Sequence, residues 1–218
     1  MAAKASDAPV STTQSTAKVP VLDVKSEVDI LGNKAPQLSQ NVLKYALTAY
    51  NNADREGDVQ KPVLTVIDYS MASNLPRMWI FDVQNNTLLY NTFVAHGKNS
   101  GEKVASRFSN TDSSKESSLG TYITKDTYIG HKGLSLNING LDKGFNNNAL
   151  NRRVVVHGAW YVEPSFIQKA GRAGKSWGCP AIAKSMAIPV INTIKYGSVI
   201  FAYYPDAYFL SHSEYLAS

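Results

Sequence analysis

Met78-Trp79-Ile80-Phe81-Asp82-Val83, then Gln84-Asn85-Asn86-Thr87, then Leu88-Leu89-Tyr90-Asn91-Thr92-Phe93-Val94-Ala95 is the stretch that decides the fold class. Two apolar runs rich in aromatic and β-branched residues flank four polar residues of turn chemistry, the pattern of a β-hairpin. Upstream, Val63 to Tyr69 is apolar and β-branched throughout. Downstream, Gly120 to Thr124, Leu134 to Ile138, Val154 to Val156 and Val199 to Tyr204 read as further strands. Helical periodicity is confined to two places. Leu38, Val42, Tyr45, Ala46, Ala49, Tyr50 and Ala53 recur on one helix face, with Pro36 suited to the first turn and Gly57 to the stop. Ile188, Ile191 and Ile194 mark a short helix, with Pro189 placed in its first turn and Gly197 near its end. Many strands with few, short helices predict a mostly β, largely antiparallel domain with one N-terminal helix packed on it.

The chain has 218 residues, the size of one ordinary domain. Its first 20 residues are dominated by Ala, Ser, Thr and Pro without periodicity. Residues 1–36 therefore read as a flexible leader, 37–205 as the domain and 206–218 as a tail, with Tyr208, Phe209 and Leu210 able to dock. Two long connections interrupt the strands. Residues 97–119, rich in Gly, Ser, Asn and Lys, are too long to be a plain turn and read as functional or mobile. Residues 139–151 hold three consecutive asparagines, Asn146 to Asn148.

Hydrophobic residues make up 44%, enough for a sizeable core, and the charged fraction is 18%. A net charge of +5 without a Lys/Arg run argues against nucleic acid and mildly favours an anionic partner. A single cysteine excludes an intramolecular disulfide and any zinc site built from several thiolates. No apolar run is long enough for a transmembrane helix, and the start lacks the apolar segment of an export signal.

The chain contains no phosphate loop, dinucleotide fingerprint, HExxH motif, EF-hand loop or GxSxG elbow. His96, His131, His157 and His212 show no helical i, i+4 pairing, so no metal is expected, and His212 in the tail is expected to be solvated. Cys179 is a core residue, a bystander or a nucleophile. Its surroundings, Lys175-Ser176-Trp177-Gly178-Cys179-Pro180, suit a nucleophile: Gly178 permits unusual backbone angles, and Pro180 keeps Cys179 extended. Amides of such a turn can face an oxyanion, Gly178 and Cys179 being the candidates. A thiol also needs a base, and two histidines end strands and precede glycine: His96-Gly97 and His157-Gly158. Their spacing does not separate them.

His157-Gly158 followed by Ser176-Trp177-Gly178-Cys179 resembles the catalytic signature of the YkuD-type L,D-transpeptidases, in the branch of murein L,D-transpeptidase catalytic domains. Val94-Ala95-His96-Gly97, Arg107-Phe108-Ser109-Asn110, Ser117-Ser118-Leu119-Gly120 and His157-Gly158-Ala159-Trp160-Tyr161-Val162 resemble that branch in order and spacing, over roughly residues 38–204. The resemblance implies a YkuD-like β-sandwich with Cys179 as nucleophile and His157 as base, its imidazole oriented by a backbone carbonyl. It implies attack on a peptidoglycan stem peptide at an L-centred carbonyl before a D-alanine, a thioester on Cys179, and a second stem's amine as acceptor. Ser176 is expected to brace the turn or position substrate. His96, Arg107, Arg153 and Trp177 are the candidate substrate contacts. The wider family often has His where Trp177 stands and an arginine shortly after the cysteine, where this chain has Pro180-Ala181; either Arg107, Arg153 or Arg172 supplies the charge, or the substrate differs.

The expected protein is thus a cofactor-free, monomeric L,D-transpeptidase of the periplasm or cell envelope, with an export signal absent from the present sequence. The alternatives are an L,D-carboxypeptidase or other thiol peptidase on the same substrate, and a non-catalytic wall-binding module.

Overall fold

A computed structural model describes residues 21–217. Residues 1–20, the first part of the expected leader, and Ser218 lie outside the described residues. The leader reading fails from residue 21 onward. Val24–Lys34 is a helix (α1) started by Asp23, whose carboxylate accepts the Lys25 N–H. Val24, Val28 and Leu31 repeat at helical spacing and pack on the core, with Leu31 fully buried. The Asn51 side chain fastens the entry by bonding both the N–H and the carbonyl of Leu22, at 3.0 and 2.7 Å. The second helix (α2), Gln40–Arg55, buries Val42, Ala46, Ala49, Tyr50 and Ala53 as expected, together with Leu43 and Leu47.

The strands are β1 (Val63–Asp68), β2 (Met78–Asp82), β3 (Thr87–Thr92), β4 (Val94–Ala95), β5 (Gly120–Gly130), β6 (Gly133–Gly140), β7 (Val155–Ala159), β8 (Ala181–Ala183) and β9 (Val199–Tyr203). They link in the order β3-β2-β1-β9-β5-β6-β7-β8-β4. The mostly β class read from the sequence holds. In the β2–β3 hairpin, Asp82 accepts the Gln84 and Asn85 amides, and Asn86 takes the left-handed angle (φ 51°) that this turn requires. All pairs are antiparallel except β1–β9 and β7–β8. The parallel β7–β8 pair matters for the site: it sets His157 beside Ala181, two residues after Cys179.

Three further α-helices, α3 (Pro164–Ala170), α4 (Lys184–Ile194) and α5 (Ala207–His212), and two 3-10 turns, Trp160–Val162 and Glu214–Leu216, complete the elements of the described residues. The Pro189 expectation is corrected. The residue sits inside α4 rather than in its first turn, because the helix begins at Lys184. The tail reading is corrected too. Phe209 on α5 is fully buried and packs on Phe145 and Phe201. Ser213 donates to Asp142, and the Asn52 amide donates to the carbonyls of Tyr215 and Ala217. His212 is exposed and stacks on Tyr208. The Asn triplet is structural: Asn146 bridges Asp142 N–H and the Thr121 carbonyl, while Asn147 and Asn148 bond Asn110 of the long 97–119 connection.

Candidate active site

The segment before β8 is built as a tight, braced turn. Its first residue docks on the end of β4: Ser176 N–H donates to the His96 carbonyl at 3.0 Å, and Lys98 N–H donates to the Ser176 carbonyl at 2.7 Å. The Ser176 hydroxyl closes the turn by donating to the Cys179 carbonyl at 2.6 Å and accepting the Gly178 N–H at 3.1 Å. Ser176 thus braces the turn. The Gly178 amide, expected as an oxyanion donor, is already bonded to Ser176, so that expectation is corrected. What Gly178 contributes is its backbone: φ is +117°, and a Cβ there would lie 2.7 Å from the Glu116 carbonyl oxygen.

That carbonyl belongs to the 97–119 connection, which is fastened to the turn. Ser117 Oγ accepts the Gly97 N–H and donates to the Gly178 carbonyl. Arg152, which sequence reasoning passed over, donates to the carbonyls of Ser109 and Glu116 and to the hydroxyls of Ser114 and Ser118. One guanidinium thereby clamps both sides of the connection.

Cys179 and His157 line the same open cavity, of about 420 Å³, with Lys132, Val155, Tyr161 and Trp177. Strand alternation explains why. His157 is level with Ala181, and Pro180 keeps the chain extended, so Cys179 and His157 fall on one face of the β7–β8 pair. His157 Nδ1 lies 3.0 Å from the Gly158 carbonyl oxygen. That carbonyl can only accept, so Nδ1 carries the proton and Nε2 is the free acceptor. Burial pulls the His157 pKa below its ordinary value, offset in part by the Gly158 carbonyl and reinforced by the Lys132 charge. Burial pushes the Cys179 thiol up, against smaller opposing effects from the Val155 amide, the Arg152 charge and its own amide. The sulfur also lies 3.9 Å from the Arg153 carbonyl, which Arg153 presents from a left-handed conformation (φ 54°). Both shifts favour the uncharged form of the group concerned.

The other expected contacts divide. Trp177 is 75% exposed, under Lys115 Nζ, and lines the thiol cavity. Arg153 and Trp177 both line an adjoining cavity of about 340 Å³ that also reaches Cys179. Arg107 is exposed and directed to the Asn99 carbonyl and Glu116, and Arg172 pairs with Glu102. Neither is among the residues lining the two thiol cavities. His96 is fully buried; Nδ1 accepts from Arg77 Nη2 at 2.7 Å, and Nε2 donates to the Gly101 carbonyl at 3.2 Å. With both nitrogens engaged inside the protein, it has no free atom for substrate, and that expectation is corrected. Tyr161, unremarked in the sequence beyond its place after His157, lines the thiol cavity. Its pKa is pushed up to about 12 by burial and by Cys179.

Burial, then the Arg77 charge, lowers the His96 pKa from 6.5 to about 4. The unfolded chain therefore takes up a proton below about pH 6.5 that the folded chain refuses until about pH 4. Stability contributed by neutral His96 is full above 6.5 and lost as pH falls through that window, by roughly 3 kcal/mol. Asp68 and Asp142, whose pKa values burial raises, act with the opposite sign. The comparison is therefore with His96→Asn. Chemical denaturation from pH 7 to 4 is expected to show a steeper loss in the unaltered chain; parallel slopes would refute the assignment.

Among the described residues, no three His, Cys, Asp or Glu side chains cluster as metal ligands, and no helix is long and apolar enough to cross a membrane. A family model described as L,D-transpeptidase catalytic domain matches residues 34–203. No curated protein matches the sequence. Among solved structures, the chain is similar to an L,D-transpeptidase from Mycobacterium smegmatis (15% identity, TM-score 0.40), covering 66% of this chain and 59% of that one. It is similar to the helical cell shape determining protein Pgp2 from Campylobacter jejuni (8% identity, TM-score 0.42), covering 73% and 56%. An L,D-transpeptidase from Stackebrandtia nassauensis is 11% identical with a TM-score of 0.37, covering 84% and 92%.

Proposed function

Because the chain belongs to the L,D-transpeptidase catalytic-domain family, we propose that it is a cysteine-dependent peptidoglycan L,D-transpeptidase, with Cys179 as nucleophile and His157 as base. The observation that carries this reading is the shared cavity, lined by both Cys179 and a histidine whose Nδ1 is fixed on the Gly158 carbonyl.

His157 Nε2 takes the Sγ proton as the sulfur attacks the L-centred carbonyl carbon of the stem peptide. The oxyanion faces the Cys179 amide. The C–N bond then breaks, and the imidazolium returns its proton to the departing D-alanine amine. A thioester remains on Cys179. The amine of a second stem attacks it, giving its proton to His157, and the thiol is regenerated as the cross-link forms. Arg153 and Trp177, beside the thiol, line the path of the peptide. This chemistry belongs in the periplasm or cell envelope, where its substrate lies.

Incubation with defined disaccharide-tetrapeptides, followed by mass analysis of products, tests the reading. Linked dimers are the expected result. Trimmed monomers alone would make the protein a carboxypeptidase. An unchanged substrate with an unmodified Cys179 would leave a wall-binding module.

A further inference from the structure

A second cavity, of about 280 Å³, adjoins the thiol cavity and shares Lys132 and Tyr161 with it. Its far wall is Trp160, which is 66% exposed yet fixed by edge contacts with Tyr161 and Phe166, at 5.7 and 5.3 Å between ring centres. Its two cations come from separate elements: Lys132 from the β5–β6 tip and Lys184 from the first turn of α4. Gly158 is what lets that turn lie against β7, since a Cβ there would meet Ala187 Cβ at 2.8 Å and Lys184 Cα at 3.2 Å.

Neither lysine has a carboxylate partner among the described residues; the three ion pairs join Arg107 to Glu116 and Glu102 to Arg172 and Lys175. The Glu163 carboxylate is engaged by Ser185, next to Lys184, accepting its N–H and its hydroxyl. Two unpaired ammonium groups and a fixed indole, in a cavity that shares Lys132 and Tyr161 with the thiol cavity, form an arrangement suited to an anion on a chain that continues past the reacting carbonyl.

We propose that this cavity is a subsite for a carboxylate of the stem peptide, held by Lys132 and Lys184 against the Trp160 wall. The proposal rests on the peptidoglycan reading above. It adds a consequence for the chemistry. The Lys132 charge disfavours protonated His157, and a carboxylate paired with Lys132 neutralises that influence when substrate is bound.

Calorimetry on the Cys179→Ser chain, which cannot form the thioester, tests the subsite with a stem tetrapeptide as free acid and as its carboxamide. The acid is expected to bind the otherwise unaltered chain about tenfold more tightly than the carboxamide. Adding Lys132→Gln or Lys184→Gln is expected to weaken acid binding about three- to tenfold each, with little effect on the carboxamide. Equal affinity for acid and carboxamide, or acid binding that survives both lysine changes together, would overturn the subsite while leaving the peptidoglycan reading standing. No binding of either peptide would overturn both.

Discussion

Replacing His157 by alanine is expected to slow thioester formation on Cys179 by about 10²- to 10⁴-fold, the usual contribution of a positioned general base. The size follows from the resting state of the pair. Burial raises the thiol and lowers the imidazole, and both shifts disfavour a thiolate–imidazolium pair. The proton must leave sulfur as the bond to carbon forms, and without Nε2 only water receives it. The same electrostatics set the pH profile. The reaction requires neutral imidazole, so acylation rises as pH climbs through the His157 pKa. That acid limb falls below the ordinary histidine value of 6.5, because burial disfavours the charged ring. Single-turnover reaction with a stem tetrapeptide, read as the adduct by intact mass, measures both. His96→Asn is the control, because His96 is enclosed with both nitrogens bonded. Acylation of His157→Ala within threefold of the unaltered rate would remove it as the base. An equal loss in folded His96→Asn would point to the other histidine.

Gly178→Ala is expected to reduce acylation by about 10²-fold while the chain still folds. Two effects act together. A φ of +117° is open to glycine and costs another residue roughly 1–3 kcal/mol. The added Cβ also meets the Glu116 carbonyl oxygen at 2.7 Å. That oxygen cannot retreat freely, because Arg152 Nη2 holds it at 2.7 Å. The turn must move instead, taking Cys179 with it, and a displacement of about 1 Å is enough to disrupt the alignment of sulfur and imidazole. Circular dichroism together with the acylation assay separates folding from positioning. Unaltered acylation would show that the turn tolerates a side chain and that its geometry is not what aligns the thiol.

Much of the strand pattern was legible because each segment reports its own surroundings. The β2–β3 hairpin carries its turn chemistry in four residues, and β9 is an unbroken apolar run. Other signals were present but overlooked. Val24, Val28 and Leu31 carry a helical period inside the supposed leader, and Pro164 with Gly171 bracket α3. Pro189 misled, since proline is expected in a first turn. Here Lys184 begins the helix, and Ser185 satisfies its own N–H on Glu163.

The thiol turn was legible through a glycine and a proline whose backbone preferences are local. Local spacing did not separate His96 from His157, because each follows an apolar run and precedes glycine, and only the family resemblance favoured His157. The choice depends on what faces each ring from distant parts of the chain: Arg77 and Gly101 around His96, an open cavity beside His157. The Gly178 amide illustrates the same limit, since its freedom depended on where the Ser176 hydroxyl turned.

By itself the sequence determined the β-rich class, most of the strand positions though not β8, a single cysteine in a constrained turn and a short set of partner histidines. Those follow from preferences of neighbouring residues along the chain. The tertiary structure alone decided which histidine shares a cavity with the thiol, that Arg152 clamps the long connection, and that Lys132 and Lys184 converge. These are contacts between residues far apart in sequence, fixed by sheet register and by burial, and no local pattern encodes them.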